Sequence, residues 1–443
     1  MLKIVISIFL FVSLALSYDS YTDDKNIYYT SKNFQVIVGK NSSSKEEMAI
    51  KLLDSAQFVW EKEINQLGFK HPINSENRLI DIYIGNTKAY NYETKSYETI
   101  SSYYAGWATS YNDNTPYFLI NSILDDDLIK VTISHEFFHT IQYSYFNPNN
   151  IDDNKWFKNI WWLEATAVLM EDEVYDDIND YINFIEPFFN ASYKDIELYN
   201  GSDEYSKVIF AKYIKKKYGL EIIKNSLASF EDSGDDGFFE ILDNLLKKDY
   251  NSSMQISLNE FAKWVSNSSL YFEDGAYYPP LKKVDISNNI TIEKGGIINI
   301  NNLKIGWNMT SLPTGKLKNI DELNSSIVWS YKNNLWSNNI TTNLNDINSS
   351  NGYWVKTDKE LSTYFTYFDK TKTLDISTLE KGWHLKGTTN NISINDLDIN
   401  QDILIWQYKN NQWYLFTNIY YNVDDYKKLD KIEQYSSYWI YIK

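Results

Sequence analysis

The spacing of apolar positions along the chain changes character three times. From Glu46 to Leu67, the residues Met48, Leu52, Leu53, Ala56, Phe58, Val59 and Ile64 recur at nearly helical steps, which predicts an amphipathic helix. Asn33 to Val38, Leu79 to Ile84 and Pro116 to Ile120 read as short strands. The second alternates and closes on Gly85-Asn86; the third is entered through a proline, which suits a sheet edge. From Asp126 the spacing turns helical again, with Leu128, Val131, Ile133, Phe137, Phe138 and Ile141 at three- and four-residue steps. Further helices are expected over Trp161 to Asp172, Ile178 to Phe189, Tyr205 to Tyr218 and Leu220 to Phe230. Together these elements predict an α+β domain, a small sheet with helices on it.

Beyond Pro279-Pro280 the helical period stops, and short aromatic and β-branched runs separated by Asn, Gly and Ser take over. Here the chain repeats itself. Gly306-Trp307, Ile327-Val328-Trp329 through Trp336, and Gly352-Tyr353-Trp354 return as Gly382-Trp383, Ile405-Trp406 through Trp413, and Ser437-Tyr438-Trp439. Trp307 to Trp383 is 76 positions and Trp329 to Trp406 is 77, so two collinear units follow, each too long for one hairpin. Lys-Asn-Asn at 332–334 and 409–411 reads as the hairpin turn between Trp-bearing strands. The expected organisation is a leader at 1–17, a domain at 18–280 and all-β modules at 290–365 and 366–443. The repeated tryptophans are expected in the cores of these modules rather than on a ligand-stacking platform. A chain ending near Pro280 is expected to fold alone.

Composition narrows the partners. The formal charge of −17 opposes nucleic acid binding. Lys3, an apolar stretch from Ile4 to Leu16, and the small residues Ala15 and Ser17 read as a secretory signal peptide, too short to span a bilayer, so no stable membrane insertion is expected. The mature protein is then secreted or periplasmic. There is no cysteine, so packing rather than disulfides must stabilise it.

His135-Glu136-Phe137-Phe138-His139 changes the picture most. On a helix the i, i+4 spacing puts both imidazoles on one face, where they can share a zinc ion, and Glu136 stands one step round as a general base. The chain has only 4 His, which makes a chance match rare. A catalytic zinc needs a third protein ligand, and a carboxylate is expected. Glu164, 25 residues after His139 in Trp161-Trp162-Leu163-Glu164-Ala165-Thr166-Ala167, has small neighbours that allow close helix packing. Glu171, Asp172 and Glu173 are the alternatives, in a run read as a solvated face. Glu171 or Asp172 is also a candidate partner for a ligating imidazole, with structural salt bridging the favoured reading of these carboxylates. Tyr117-Phe118-Leu119 is the candidate edge strand for pairing with a peptide, with ordinary sheet core as the competing reading.

The succession H-E-x-x-H, W-L-E-A-T-A and the E-D-E run resembles the gluzincin metallopeptidases, in particular a bacterial group of secreted metalloproteases. The resemblance covers about Asn33 to Trp264 and is specific at His135 to Tyr143 and Trp161 to Asp172. It implies a thermolysin-like zincin domain and a zinc endopeptidase acting on peptide or protein, with His135, His139 and Glu164 as metal ligands. It also implies Tyr205 as a stabiliser of the tetrahedral oxyanion; the alternative for Tyr205 is packing or capping of the following helix. The rival function is a surface adhesion or carbohydrate-binding protein with a vestigial peptidase domain, its C-terminal modules contacting a cell-surface partner.

Overall fold

A computed structural model of the chain describes residues 18–42, 45–283, 293–311, 327–338, 351–366, 374–388, 391–419, 426–433 and 436–443. The expected signal segment lies outside these. The protein is mixed α+β with an all-β C-terminal region. The described residues divide into two compact units, one formed by those up to Ile151 with Ala167–Asp180, the other by Asp152–Thr166 with Tyr181–Lys443.

The first unit is built on β1 (Asp19–Thr22), β2 (Asn26–Thr30), β3 (Phe34–Gly39), α1 (Glu46–Trp60) and β4 (Ile80–Gly85). A two-residue hairpin, β5 (Tyr90–Asn91) and β6 (Ser96–Tyr97), then leads to β7 (Gly106–Ser110), β8 (Pro116–Asn121) and α2 (Asp126–Gln142). Six strands form one sheet in the order β1-β2-β3-β4-β8-β7. The β3-β4-β8 pairings are parallel, and β7 runs antiparallel to β8. Ile80, Ile82 and Ile84 alternate with Asp81 and Tyr83, so one face of β4 is aliphatic and the other carries a tyrosine layer. That layer is tied by Tyr111, whose hydroxyl reaches Asp81 Oδ2 at 2.7 Å. Phe34 meets Phe137 at 5.4 Å between centroids, which places α2 in this unit's core. The helix expected to continue to Leu67 instead widens into a π-helix at Glu61–Gln66.

The strand entered through Pro116 is not an edge. β8 lies between β4 and β7, and β7, which carries no strong apolar period, is the edge. Pro116 is tolerated because it is the first residue of its strand.

In the second unit the described helices are α4 (Glu186–Asn190), α5 (Val208–Tyr218), α6 (Glu221–Phe230), α7 (Phe238–Asp249), α8 (Met254–Ser266) and α9 (Ser268–Tyr271). They are preceded by α3 (Asp153–Val174), whose first turns belong here and whose remainder belongs to the first unit. Trp161 and Trp162 are fully buried, with rings 6.3 and 6.2 Å from Phe210. The helix expected over Ile178 to Phe189 is broken into a 3-10 turn at Asp180–Asn183 and the short α4, whose first turn holds Pro187.

The β region opens with β9 (Ile297–Leu303), which pairs with β14 (Leu361–Thr366). Just before β9, Lys294 reaches Glu197 at 3.1 Å and also Glu240, and Ser192 Oγ donates to the Ile297 carbonyl at 2.9 Å. The first repeat comprises β10 (Gly306–Thr310), β11 (Ile327–Lys332), β12 (Leu335–Asn338) and β13 (Tyr353–Thr357), in the order β10-β13-β11-β12. The second comprises β15 (Gly382–Gly387), β16 (Ile392–Ser393), β17 (Ile403–Lys409), β18 (Gln412–Thr417), β19 (Lys427–Lys428), β20 (Lys431–Ile432) and β21 (Ser437–Ile442). Its main sheet has the order β15-β21-β17-β18-β19, so the two copies share one strand order. Asn333, Asn334, Asn410 and Asn411 all have φ between 52° and 61°, the left-handed turn expected of Lys-Asn-Asn.

The core expectation for the tryptophans fails. The second copy's interior is Ile403, Ile405, Ile432, Tyr438, Ile440 and Ile442, while Trp406 and Trp439 point to the opposite faces of their strands. No helix among the described residues is long and apolar enough to cross a membrane.

Candidate metal centre

Helix α2 starts cleanly because Asp125 caps it, accepting from the Leu128 N–H at 3.0 Å. From Ile129 onward it is buried almost all round, so His135 and Glu136 sit in the interior, at 8% and 6% exposure. His135 Nε2 and His139 Nε2 face each other at 3.1 Å. Glu164, on α3, completes a group in which one ligand atom per residue lies within 4.8 Å of the others.

The other imidazole nitrogens are both engaged. His135 Nδ1 is 2.6 Å from Glu171 Oε1, and His139 Nδ1 is 2.8 Å from Gln142 Oε1. Both partners offer an acceptor oxygen to a ring Nδ1–H, and in that tautomer Nε2 is the nitrogen that can ligate a metal. The two Nε2 atoms stand 3.1 Å apart, close enough for both to reach one metal ion. The donor set of two imidazoles and a carboxylate suits zinc.

The charged run at 171–173 is not the solvated face expected from sequence, since Glu171 and Asp172 are 6% exposed. Burial pushes the Glu171 carboxyl up to about 7, opposed by its bond to His135. Behind the site, Glu63 is wholly buried, its carboxyl pushed far up by burial and pulled back by Ser134 and by His135. Ser134 Oγ lies 3.0 Å from Glu63 Oε1 and 2.9 Å from the Met170 carbonyl. One hydroxyl proton serves one acceptor. Ser134 Oγ–H donating to Glu63 Oε1 favours the charged form, while burial, the larger effect, favours the neutral carboxyl.

Glu136 lies against the edge strand. A Cβ added at Gly106 would stand 2.5 Å from Glu136 Cγ and 2.6 Å from its Oε1, so only glycine lets the β7 backbone come this close. Tyr143, one residue past α2, donates to the Ala108 carbonyl of the same strand at 3.4 Å. Exposed Trp107 and Tyr104 border it. The expected substrate strand, Tyr117 to Leu119, is interior instead.

Tyr205 is half-buried in a 3-10 turn, Tyr205–Lys207, with its ring 6.0 Å from Phe184. Its neighbour Glu204 is buried and held up by desolvation, with the Glu164 charge adding to the effect, so a second carboxyl stands within electrostatic range of the proposed ligand. Sequence reasoning missed Gln142, Gly106 and Glu204. Gln142, three residues after His139, had a helical-spacing signal; Gly106 and Glu204 had none.

No curated protein matches the chain. What the chain is similar to, over residues 23–236, is the model of a family of unknown function, DUF6055, a span that contains strands β2 to β8, α2 and every residue of this centre and stops short of the β repeats.

Proposed function

We propose that the protein is an extracytoplasmic zinc endopeptidase of the gluzincin kind, with a thermolysin-like arrangement of sheet edge, HExxH helix and Glu helix. The observation that carries this reading is the convergence of His135 Nε2, His139 Nε2 and the Glu164 carboxylate, with both Nδ1 atoms already bonded. Zinc held by these three side chains supplies Lewis acidity, polarising a scissile carbonyl and acidifying a water.

The chain's own residues do the rest. Glu136, dry and fixed against β7, takes the proton of the attacking water and returns it to the leaving amine. The unpaired edge of β7 offers backbone N–H and C=O groups to an extended peptide, which holds the scissile bond in register. Tyr205 supplies a hydroxyl to the tetrahedral oxyanion.

Metal analysis of purified protein and cleavage of casein test the reading together. Glu136→Gln should keep zinc and lose hydrolysis, and Glu164→Ala should lose zinc. Protein without zinc, or an active Glu136→Gln, overturns it. The rival, a binding protein with a vestigial catalytic half, draws on the open aromatic clefts of the β region; it requires that no peptide be cleaved, whether or not zinc is bound.

A further inference from the structure

The β repeats hold two open clefts that the peptidase reading leaves unused. The first, about 730 Å³, is walled by Trp329, Trp336 and Trp354 of the first copy with Tyr408, Trp413 and Trp439 of the second. The second, about 550 Å³, is walled by Trp406, Trp413 and Trp439 of the second copy with Tyr331 and Trp336 of the first. Exchanging equivalent positions between the copies converts one wall into the other, except that Tyr426 stands where Trp354 would fall. A surface built twice with the same aromatic positions is a property of the repeat, not an accident of one loop.

These rings are displayed. Trp307, Trp336 and Trp383 are 42%, 47% and 42% exposed, and none of the eight repeat tryptophans is buried. They do not form a flat platform, because Trp329 and Trp336 cross at 86°, Trp336 and Trp439 at 70°, and Trp406 and Trp413 at 89°. Ridges and slots result. Among the described residues none of the eight indole N–H groups has a protein acceptor. The described lining side chains include no carboxylate and no amide, so they present apolar slots edged mainly by hydrogen-bond donors, with the hydroxyls of Tyr331, Tyr408 and Tyr426 beside them.

The ligand that complements such walls is apolar, ridged and rich in acceptors without donors. We infer that these clefts bind proline-rich segments in the polyproline II conformation. Proline has no N–H, its carbonyls project from an extended helix with no internal hydrogen bonds, and its rings fit between crossed aromatics at little entropic cost. Eight indole N–H donors outnumber the acceptors among the described lining side chains, the hydroxyl oxygens of Tyr331, Tyr408 and Tyr426, so a soluble glycan would bury hydroxyl donors against few acceptors, and a crystalline glycan face needs coplanar rings. A quaternary ammonium is opposed by the cation already beside the first cleft, Lys356, which stands 5.8 Å from the Trp307 ring. From residue 293 onward the chain holds 16 Lys against 16 Asp and Glu, so the −17 charge lies entirely before the repeats and does not favour a cation here. The inference stands independently of the peptidase reading.

Titrating the full mature chain with decaproline, chitohexaose and tetramethylammonium, each followed by calorimetry and by the indole N–H resonances of ¹⁵N-tryptophan-labelled protein, tests it. Decaproline should bind and shift the indole N–H signals of Trp336, Trp413 and Trp439, which the two clefts share. Trp336→Ala should weaken binding by about thirty-fold, the loss typical of a tryptophan anchor. Preferential binding of chitohexaose or tetramethylammonium overturns the inference. So does an unshifted set of indole signals in decaproline, an outcome that does not depend on any variant folding.

Discussion

Replacing Gly106 with alanine is the sharpest single test of where Glu136, the proposed catalytic base, sits. The methyl would enter 2.5 Å from Glu136 Cγ and 2.6 Å from Oε1, whereas non-bonded carbon contacts settle near 3.5–4.0 Å, so the carboxylate must retreat by about 1 Å. Gly106 pairs with Ile120 in an ordinary strand and has no left-handed φ, so alanine meets no backbone strain. A displacement of about 1 Å in a catalytic group costs roughly 10²-fold in rate. The overpacking should cost about 1–3 kcal/mol of stability. None of the three ligand side chains is touched, so zinc stoichiometry should be unchanged. Peptide hydrolysis, bound zinc and urea midpoints are measured on the single variants and on Gly106→Ala combined with Glu136→Ala, where the methyl has nothing to displace. The stability loss should then largely disappear, as a positive coupling in the double-mutant cycle. Full activity in Gly106→Ala, or a stability loss that persists without the Glu136 side chain, refutes the placement.

Gln142→Leu and Glu171→Leu each remove the acceptor that fixes a ligand tautomer, and each should weaken zinc about 10–100-fold in chelator competition; unchanged affinity removes the orienting role. Glu63→Gln should flatten the pH dependence of stability. The folded carboxyl titrates well above its unfolded value, so its contribution is full below pH ~4.3 and is lost as pH rises toward the folded value. Across pH 5 to 8 the glutamine variant should therefore gain on wild type, by up to about 1.4 kcal/mol per pH unit, read as urea midpoints; parallel curves refute a neutral Glu63. Lys294→Ala strands Glu197, whose side chain is 9% exposed, and should lower stability by about 1–3 kcal/mol at constant m-value. Unchanged stability would leave the expectation of a self-sufficient chain ending near residue 280 without this objection.

The local elements were legible because their signals are local. Helical spacing marked α1 and α2, and the 76- and 77-residue offsets marked two copies that the structure gives one strand order. The HExxH spacing placed two imidazoles on one face because a helix fixes that geometry within a single turn. Which strand forms the edge was not legible, since β7 has no strong period and edge position depends on what pairs beside it. The partners of the imidazoles came from two directions: Gln142 lies one turn away, but Glu171 is 36 residues on and reaches His135 only because α3 lies beside α2. A charged run looked solvated by composition, and only packing buried it. The tryptophans show the same division most plainly. Strand alternation separates Trp406 from Ile403 and Ile405, but which face turns inward is set by what covers it, and here the isoleucines were covered and the indoles were not.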